Sequence, residues 1–255
     1  MASLRDGANY FNVWVDQTFP FATKEPSLVF NGSDWSSFQD YTLVQGLRSD
    51  LHTACFGRRS EANQGITAFA GVHVINGYVV DIPFLEKQTR KLEFIGDSVV
   101  AGYGNEGKYP CSFSSATENM FLTYASMLGD AFSATWNAEC WSGKGLLRNY
   151  GSPNITSPDP FPIYWNRTVG NLISGIWTFD NYIPDALVIH LGDNDFTTNP
   201  NPPTGESNFT FEYAVCLAHM ILISLEEIIH FSSVVGRYVG QRYASVCGNY
   251  SRLIS

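Results

Sequence analysis

Three short polar turns hold the residue types that acyl transfer through a serine requires. They are Gly96-Asp97-Ser98, Ser142-Gly143-Lys144-Gly145 and Gly192-Asp193-Asn194-Asp195, and each follows an apolar run. That chemistry needs a nucleophile, a base to take its proton, and donors aimed at the oxyanion of the tetrahedral intermediate. Ser98 offers a hydroxyl and a backbone N–H. Gly143 offers a second N–H on a residue whose missing Cβ lets the backbone approach a ligand closely. Asn194 offers its side-chain NH₂. Taken alone, the tripeptide GDS reads equally well as an N-cap turn, with Asp97 or Ser98 capping a helix. The other two turns are what favour a nucleophile.

The elements that must position these turns form an α/β grammar from residue 91 onward. The stretch 91–104, KLEFIGDSVVAGYG, reads as a short apolar strand, a sharp turn and a helix start. A serine there sits at the carboxyl end of a parallel strand, where open α/β sheets bind ligands. The apolar spacing of residues 116–132, with Phe121, Tyr124, Ala125 and Leu128 on one side, predicts a helix with Thr117 as its N-cap. SATWNAECW (133–141) is the next strand, a polar loop follows over 149–168, and DALVIHLG (185–192) is a third strand. Strands that each end in a Gly-containing polar turn predict a parallel sheet. The apolar stretch 211–235 reads as one helix of the sheet layer. Glu226 and Glu227 break it before the roughly 20 apolar residues that a bilayer requires, so no membrane partner is expected.

Before residue 85 the signals are all β. YFNVWVD (10–16), DYTLVQGL (40–47) and ITAFAGVHVINGYVV (66–80) alternate, with Asn-Gly turns at Asn31 and Asn76. These imply a small antiparallel sandwich of jelly-roll type over 1–85, joined by a short linker to an α/β domain over 91–255.

Composition narrows the function. In 255 residues, 44% are apolar and 15% charged, against roughly 25% charged in an average soluble protein, so a folded rather than a disordered chain is expected. A net charge of −9 without a basic cluster argues against nucleic acid as a partner. Aromatics at 15% suit a surface that stacks on sugar rings, as well as ordinary cores. The five cysteines show no metal-ligand spacing, so no zinc site is expected. Sequons at Asn31, Asn154, Asn166, Asn208 and Asn249 point to a secreted glycoprotein, although the first residues show no signal peptide.

GDS, SGxG and GxND, in this order and each after a strand, resemble the SGNH (GDSL-type) hydrolases. More narrowly, KLEFIGDSVVAGYG, ATEN, WSGKGLLRNYG and HLGDND resemble the two-domain acetyl-xylan esterases of the second carbohydrate-esterase family. Residues 51–71, LHTACFGRRSEANQGITAFAG, resemble the jelly-roll motif of those enzymes, so the likeness runs from about residue 10 to about 213. The resemblance implies a three-layer, flavodoxin-like hydrolase domain behind a jelly-roll domain, with the completeness of both left open. It implies Ser98 as nucleophile and Gly143 and Asn194 as oxyanion-hole donors, with Asp97 and Asp195 shaping the turns. The implied reaction is removal of O-acetyl groups from plant polysaccharide or oligosaccharide, without metal or cofactor.

The family's last motif, a catalytic His near the C-terminus followed by Pro, has no counterpart here. His219 and His230 lie on an apolar helical stretch, His190 on a buried strand, and His52 and His73 in the β-region. The general base is unassigned. Two readings stay open: an altered but working esterase, or a carbohydrate-binding protein on a hydrolase scaffold. A lipase or thioesterase of the wider superfamily lacks support beside the sugar-branch motifs.

Overall fold

The computed structural model describes residues 1–17, 24–79 and 90–196. Six strands build the N-terminal part: β1 (Ala2–Asp6), β2 (Tyr10–Val15), β3 (Leu28–Asn31), β4 (Asp34–Tyr41), β5 (Ala54–Arg58) and β6 (Thr67–Val72). They pair antiparallel into two sheets of three, in the orders β4-β1-β6 and β3-β2-β5. Alternation sends Ala2 and Leu4 of β1 and Phe11 and Val13 of β2 into one apolar layer with Leu43, so the two sheets share a core. The opposite face of β2 is covered too: the Trp14 ring meets Phe121 edge-on at 4.8 Å.

Two strand expectations shift. The strand expected over 40–47 runs instead over Asp34–Tyr41. Asp34 and residues 39–41 pair with β1 through the backbone while the side chains of residues 35–40 face solvent, so no apolar alternation announces the strand. Strand β1 begins before the first expected element. The Asn31-Gly32 turn lies where expected, between β3 and β4.

The second part is mixed α/β around a parallel sheet, ordered β8-β7-β9, of β7 (Arg90–Gly96), β8 (Ala134–Cys140) and β9 (Ala186–His190). Central β7 is buried on both faces, which is why its sequence is nearly continuous in apolar residues. On one face Phe94 packs with Val100 of α1 (Ser98–Ala101) and Ala125 of α2 (Tyr124–Ala131). On the other, Ile95 packs with Leu146 and with Phe161 and Trp165, around α3 (Pro162–Trp165). A short α4 (Asp193–Phe196) ends the described chain.

The helix expected over 116–132 starts only at Tyr124. Upstream, Ser115–Thr117 and Met120–Leu122 are single 3₁₀ turns, capped by the side chains of Ser114 and Asn119. Thr117 is therefore not the N-cap. The reason is tertiary: Glu118 accepts the Glu61 N–H, and Asn119 bonds Asn105 and Glu106, which pulls these two residues into extended backbone. The helix expected over 211–235 lies outside the described residues.

Candidate active site

Strand register alone brings the three turns together. Gly96 at the end of β7 stands opposite Cys140 of β8 and His190 of β9, so residues 97–98, 141–145 and 191–195 all emerge at one sheet edge. Asp97 caps α1, its carboxylate accepting the Val99 N–H at 3.0 Å, and Gly102 closes the helix in the left-handed conformation. Ser98 is half-buried and lines a pocket of about 390 Å³ with Val99, Tyr103, Leu122 and Tyr124. Among the described residues nothing is hydrogen-bonded to the Ser98 hydroxyl or to its N–H.

The second turn is tied at both ends. The Trp141 N–H donates to Gly96 O at 3.2 Å, and the Tyr150 N–H donates to Gly143 O at 2.8 Å. Gly143 has φ +80°, a conformation that disfavours a side chain, with open space where a Cβ would lie. Its N–H has no hydrogen-bond partner among the described residues. The Lys144 charge is matched by Asp159, whose carboxyl that ion pair holds below the usual range.

Asn194 joins the turns to one another. Its amide nitrogen donates to Asp97 Oδ2 at 3.1 Å and to Lys144 O at 2.9 Å, so both N–H bonds of the NH₂ are engaged. Asp195 is fully buried and acts as an anchor for the loop. Its carboxylate accepts the N–H groups of Leu146, Leu147 and Arg148 at 2.8, 2.8 and 2.9 Å. A Cβ on Gly145 would lie 2.5 Å from Asp195 Oδ2 and 2.0 Å from Arg148 O, so only glycine fits there. Asp97 and Asp195 thus shape the turns. Burial raises the Asp97 carboxyl; Asp193 and Asp195 add to this, while the Val99 N–H and His190 oppose it.

Serine, glycine and asparagine therefore meet at one edge, but no histidine joins them by a hydrogen bond to Ser98 among the described residues. His190, expected as a structural residue, is half-buried, with Nδ1 3.1 Å from the Tyr124 hydroxyl and Nε2 3.7 Å from Asp193 Oδ2. His52 pairs with Asp16 at 2.8 Å in the N-terminal part, and His73 follows β6. His219 and His230 lie outside the described residues.

The surroundings contain contacts that no local motif announced. Glu61, after β5, accepts the Ser142 N–H, and Glu118 of the ATEN segment accepts the Glu61 N–H. Their partners stand 81 and 57 residues apart in the chain, beyond the reach of any spacing rule.

No family model matches the chain. Over 160 residues, 62% of this chain and 19% of the relative, it is 38% identical to the cellulase/esterase CelE of Acetivibrio thermocellus. Over 200 residues, 77% of this chain and 51% of the relative, it is 28% identical to an acetylxylan esterase / glucomannan deacetylase of Cellvibrio japonicus. In three dimensions it is similar to a family two carbohydrate esterase from Clostridium thermocellum in complex with cellohexaose. That likeness has a TM-score of 0.76 and 25% identity, and covers 99% of this chain and 72% of the other. The sequence relatives are esterases by name, and the structural neighbours at 25% and 27% identity are family two carbohydrate esterases. The likeness to family two esterases read from GDS, SGKG and GDND therefore holds. The chain spans about a fifth and about half of the length of the two sequence relatives.

Proposed function

We propose that this chain is a serine esterase that removes O-acetyl groups from plant polysaccharide or oligosaccharide. One observation carries the reading: a half-buried serine that lines a pocket and a glycine N–H stand at one sheet edge without hydrogen-bond partners among the described residues, with Asn194 between their turns. In this reading Ser98 Oγ attacks the acetyl carbonyl and its proton passes to a base. The N–H groups of Ser98 and Gly143 receive the oxyanion. The Asn194 amide adds a third donor when it releases or shares its bond to Asp97 or Lys144. Collapse of the tetrahedral intermediate expels the sugar hydroxyl and leaves an acetyl-serine, which water then hydrolyses. The base is unassigned.

The rest of the reading follows the same line. The paired N-terminal sheets fit a jelly-roll sandwich domain over 1–85, and the parallel sheet fits a three-layer hydrolase domain over 91–255. The acetylated-glycan substrate is inferred from the names of the relatives and from the cellohexaose in the neighbouring structure. Secretion with N-glycosylation is supported by exposed sequon asparagines at Asn31, Asn154 and Asn166.

A second reading is favoured by the lack of a histidine bonded to Ser98 among the described residues. On that reading the chain binds glycans on a hydrolase scaffold without turnover. Release of acetate from acetylated xylan by the wild type, abolished in Ser98→Ala, is the outcome expected of the esterase. Glycan binding without acetate release from either protein indicates the second reading.

A further inference from the structure

The loop that presents Gly143 is held from outside the α/β part. The Ser142 N–H donates to Glu61 Oε2 at 2.5 Å, and Glu61 lies between β5 and β6 of the N-terminal sheets. Glu61 is itself fixed. Its N–H donates to Glu118 Oε1, its carbonyl accepts from the Arg58 guanidinium at 2.5 Å, and the same guanidinium reaches Ser60 O at 2.8 Å. Glu61 is 5% exposed and Glu118 fully buried. The remaining oxygens, Glu61 Oε1 and Glu118 Oε2, have no partner among the described residues.

We propose that Glu61 is a positioning residue for the Ser142-Gly143 peptide, so that the N-terminal sheets set the aim of the Gly143 N–H. The inference rests on reading Gly143 as an oxyanion donor. Gly143 occupies a left-handed conformation in open space, so Gly143 itself adds no side-chain packing that would fix the peptide before it. Asp195 anchors only residues 146–148, and the Asn194 amide anchors only the Lys144 carbonyl. Within the turn the Lys144 N–H donates to Trp141 O at 3.2 Å and the Tyr150 N–H to Gly143 O at 2.8 Å. From outside it, besides the bond from the Trp141 N–H to Gly96 O, the Glu61 carboxyl supplies the N-terminal fastening and is the contact that holds the Ser142 N–H itself. A donor that must point at a charge present only in the transition state gains from such fixation, because no reorganisation is then needed during the reaction.

The electrostatics agree with this geometry. Burial pushes the Glu61 carboxyl up to about 7, and Asp97 adds to the rise, while the Ser142 contact and Arg58 oppose it. Glu118 is pushed up to about 8 by burial and then by the Glu61 charge. The charged and titratable groups around the pair are Arg58 from β5, Asp97 at the start of α1, and Cys140 at the end of β8, whose thiol is raised well above its ordinary value. A carboxyl oxygen accepts the Ser142 N–H in either protonation state, so an amide in its place keeps the contact.

The test combines hydrogen exchange of the residue 141–145 amides with turnover of 4-nitrophenyl acetate by wild type, Glu61→Ala and Glu61→Gln. Glu61→Ala is expected to speed exchange of the Ser142 amide about tenfold or more, and to lower kcat about 10- to 100-fold with KM within about twofold. Glu61→Gln, which keeps an acceptor oxygen, is expected within about threefold of wild type in both. Unchanged exchange in Glu61→Ala overturns the inference, as does a Gln variant that behaves like the Ala variant. Faster exchange with kcat unchanged also overturns it. If the wild type shows no Ser98-dependent turnover, the esterase reading fails, and the exchange comparison still decides whether Glu61 holds the loop. Should Glu61→Ala not fold, Glu61→Asp, one methylene short of Ser142, is expected to show the faster exchange.

Discussion

Two carboxylate clasps hold the 142–148 loop, and they are built on opposite plans. Asp195, from the turn after β9, takes three backbone N–H groups in one carboxylate. Glu61, from the N-terminal sheets, takes one N–H, leans on a second buried carboxyl, and leaves an oxygen without a partner among the described residues. Three backbone donors on one carboxylate fasten a whole stretch of loop, whereas buried carboxyls with few donors are pushed towards neutral pH, as Glu61 and Glu118 are. The first clasp is therefore expected to set whether the loop folds, and the second how well it is aimed.

The largest effect should come from the nucleophile that stands beside the loop both clasps hold. Ser98→Ala is expected to lower turnover of 4-nitrophenyl acetate by about 10³-fold or more with an unchanged melting temperature, since a half-buried turn serine contributes little packing. Asn194→Ala should lower kcat by about 10²-fold with a smaller change in KM. An effect confined to KM would place the amide in ground-state binding.

Asp195→Ala separates the two clasps in stability. It strands three N–H donors, two of them on buried residues, and should cost about 2 to 5 kcal/mol in denaturant unfolding, against about 1 to 2 for Glu61→Ala. Equal losses would erase the distinction.

The smallest effect is a pH dependence to which the glutamate pair contributes. Both carboxyls are raised on folding from 4.5, to about 7 for Glu61 and about 8 for Glu118. Between those limits the folded chain binds more protons than the unfolded one, so their contribution is full below about pH 4.5 and falls as pH rises to about 8. Glu93, raised by burial to about 7, acts in the same direction. The melting temperature should therefore decline over that range, and less steeply in Glu118→Gln. Parallel profiles would remove Glu118 from the account.

Much of the candidate site was legible in the sequence because its signals are local. LEFI, ATWNAEC and ALVIH each run into a glycine-bearing polar turn, and parallel register then brings those turns together without further information. What the sequence concealed depends on distant partners. Glu118 and Asn119 sit in a stretch with helical spacing but are held extended by Glu61, Asn105 and Glu106, so the helix waits until Tyr124. Strand β4 carries polar, exposed side chains and is held by backbone pairing to β1, which no alternation records. Glu61 looks like any glutamate near a turn until the fold delivers Ser142 to it.

The central claim is that the three turns make an activated serine. Incubation of the chain with a fluorophosphonate, followed by mass spectrometry of its peptides, tests this without assuming a sugar. A single covalent adduct on Ser98, absent in Ser98→Ala and diminished in Glu61→Ala, is the predicted result. A folded wild-type chain left unlabelled at Ser98 would contradict the account.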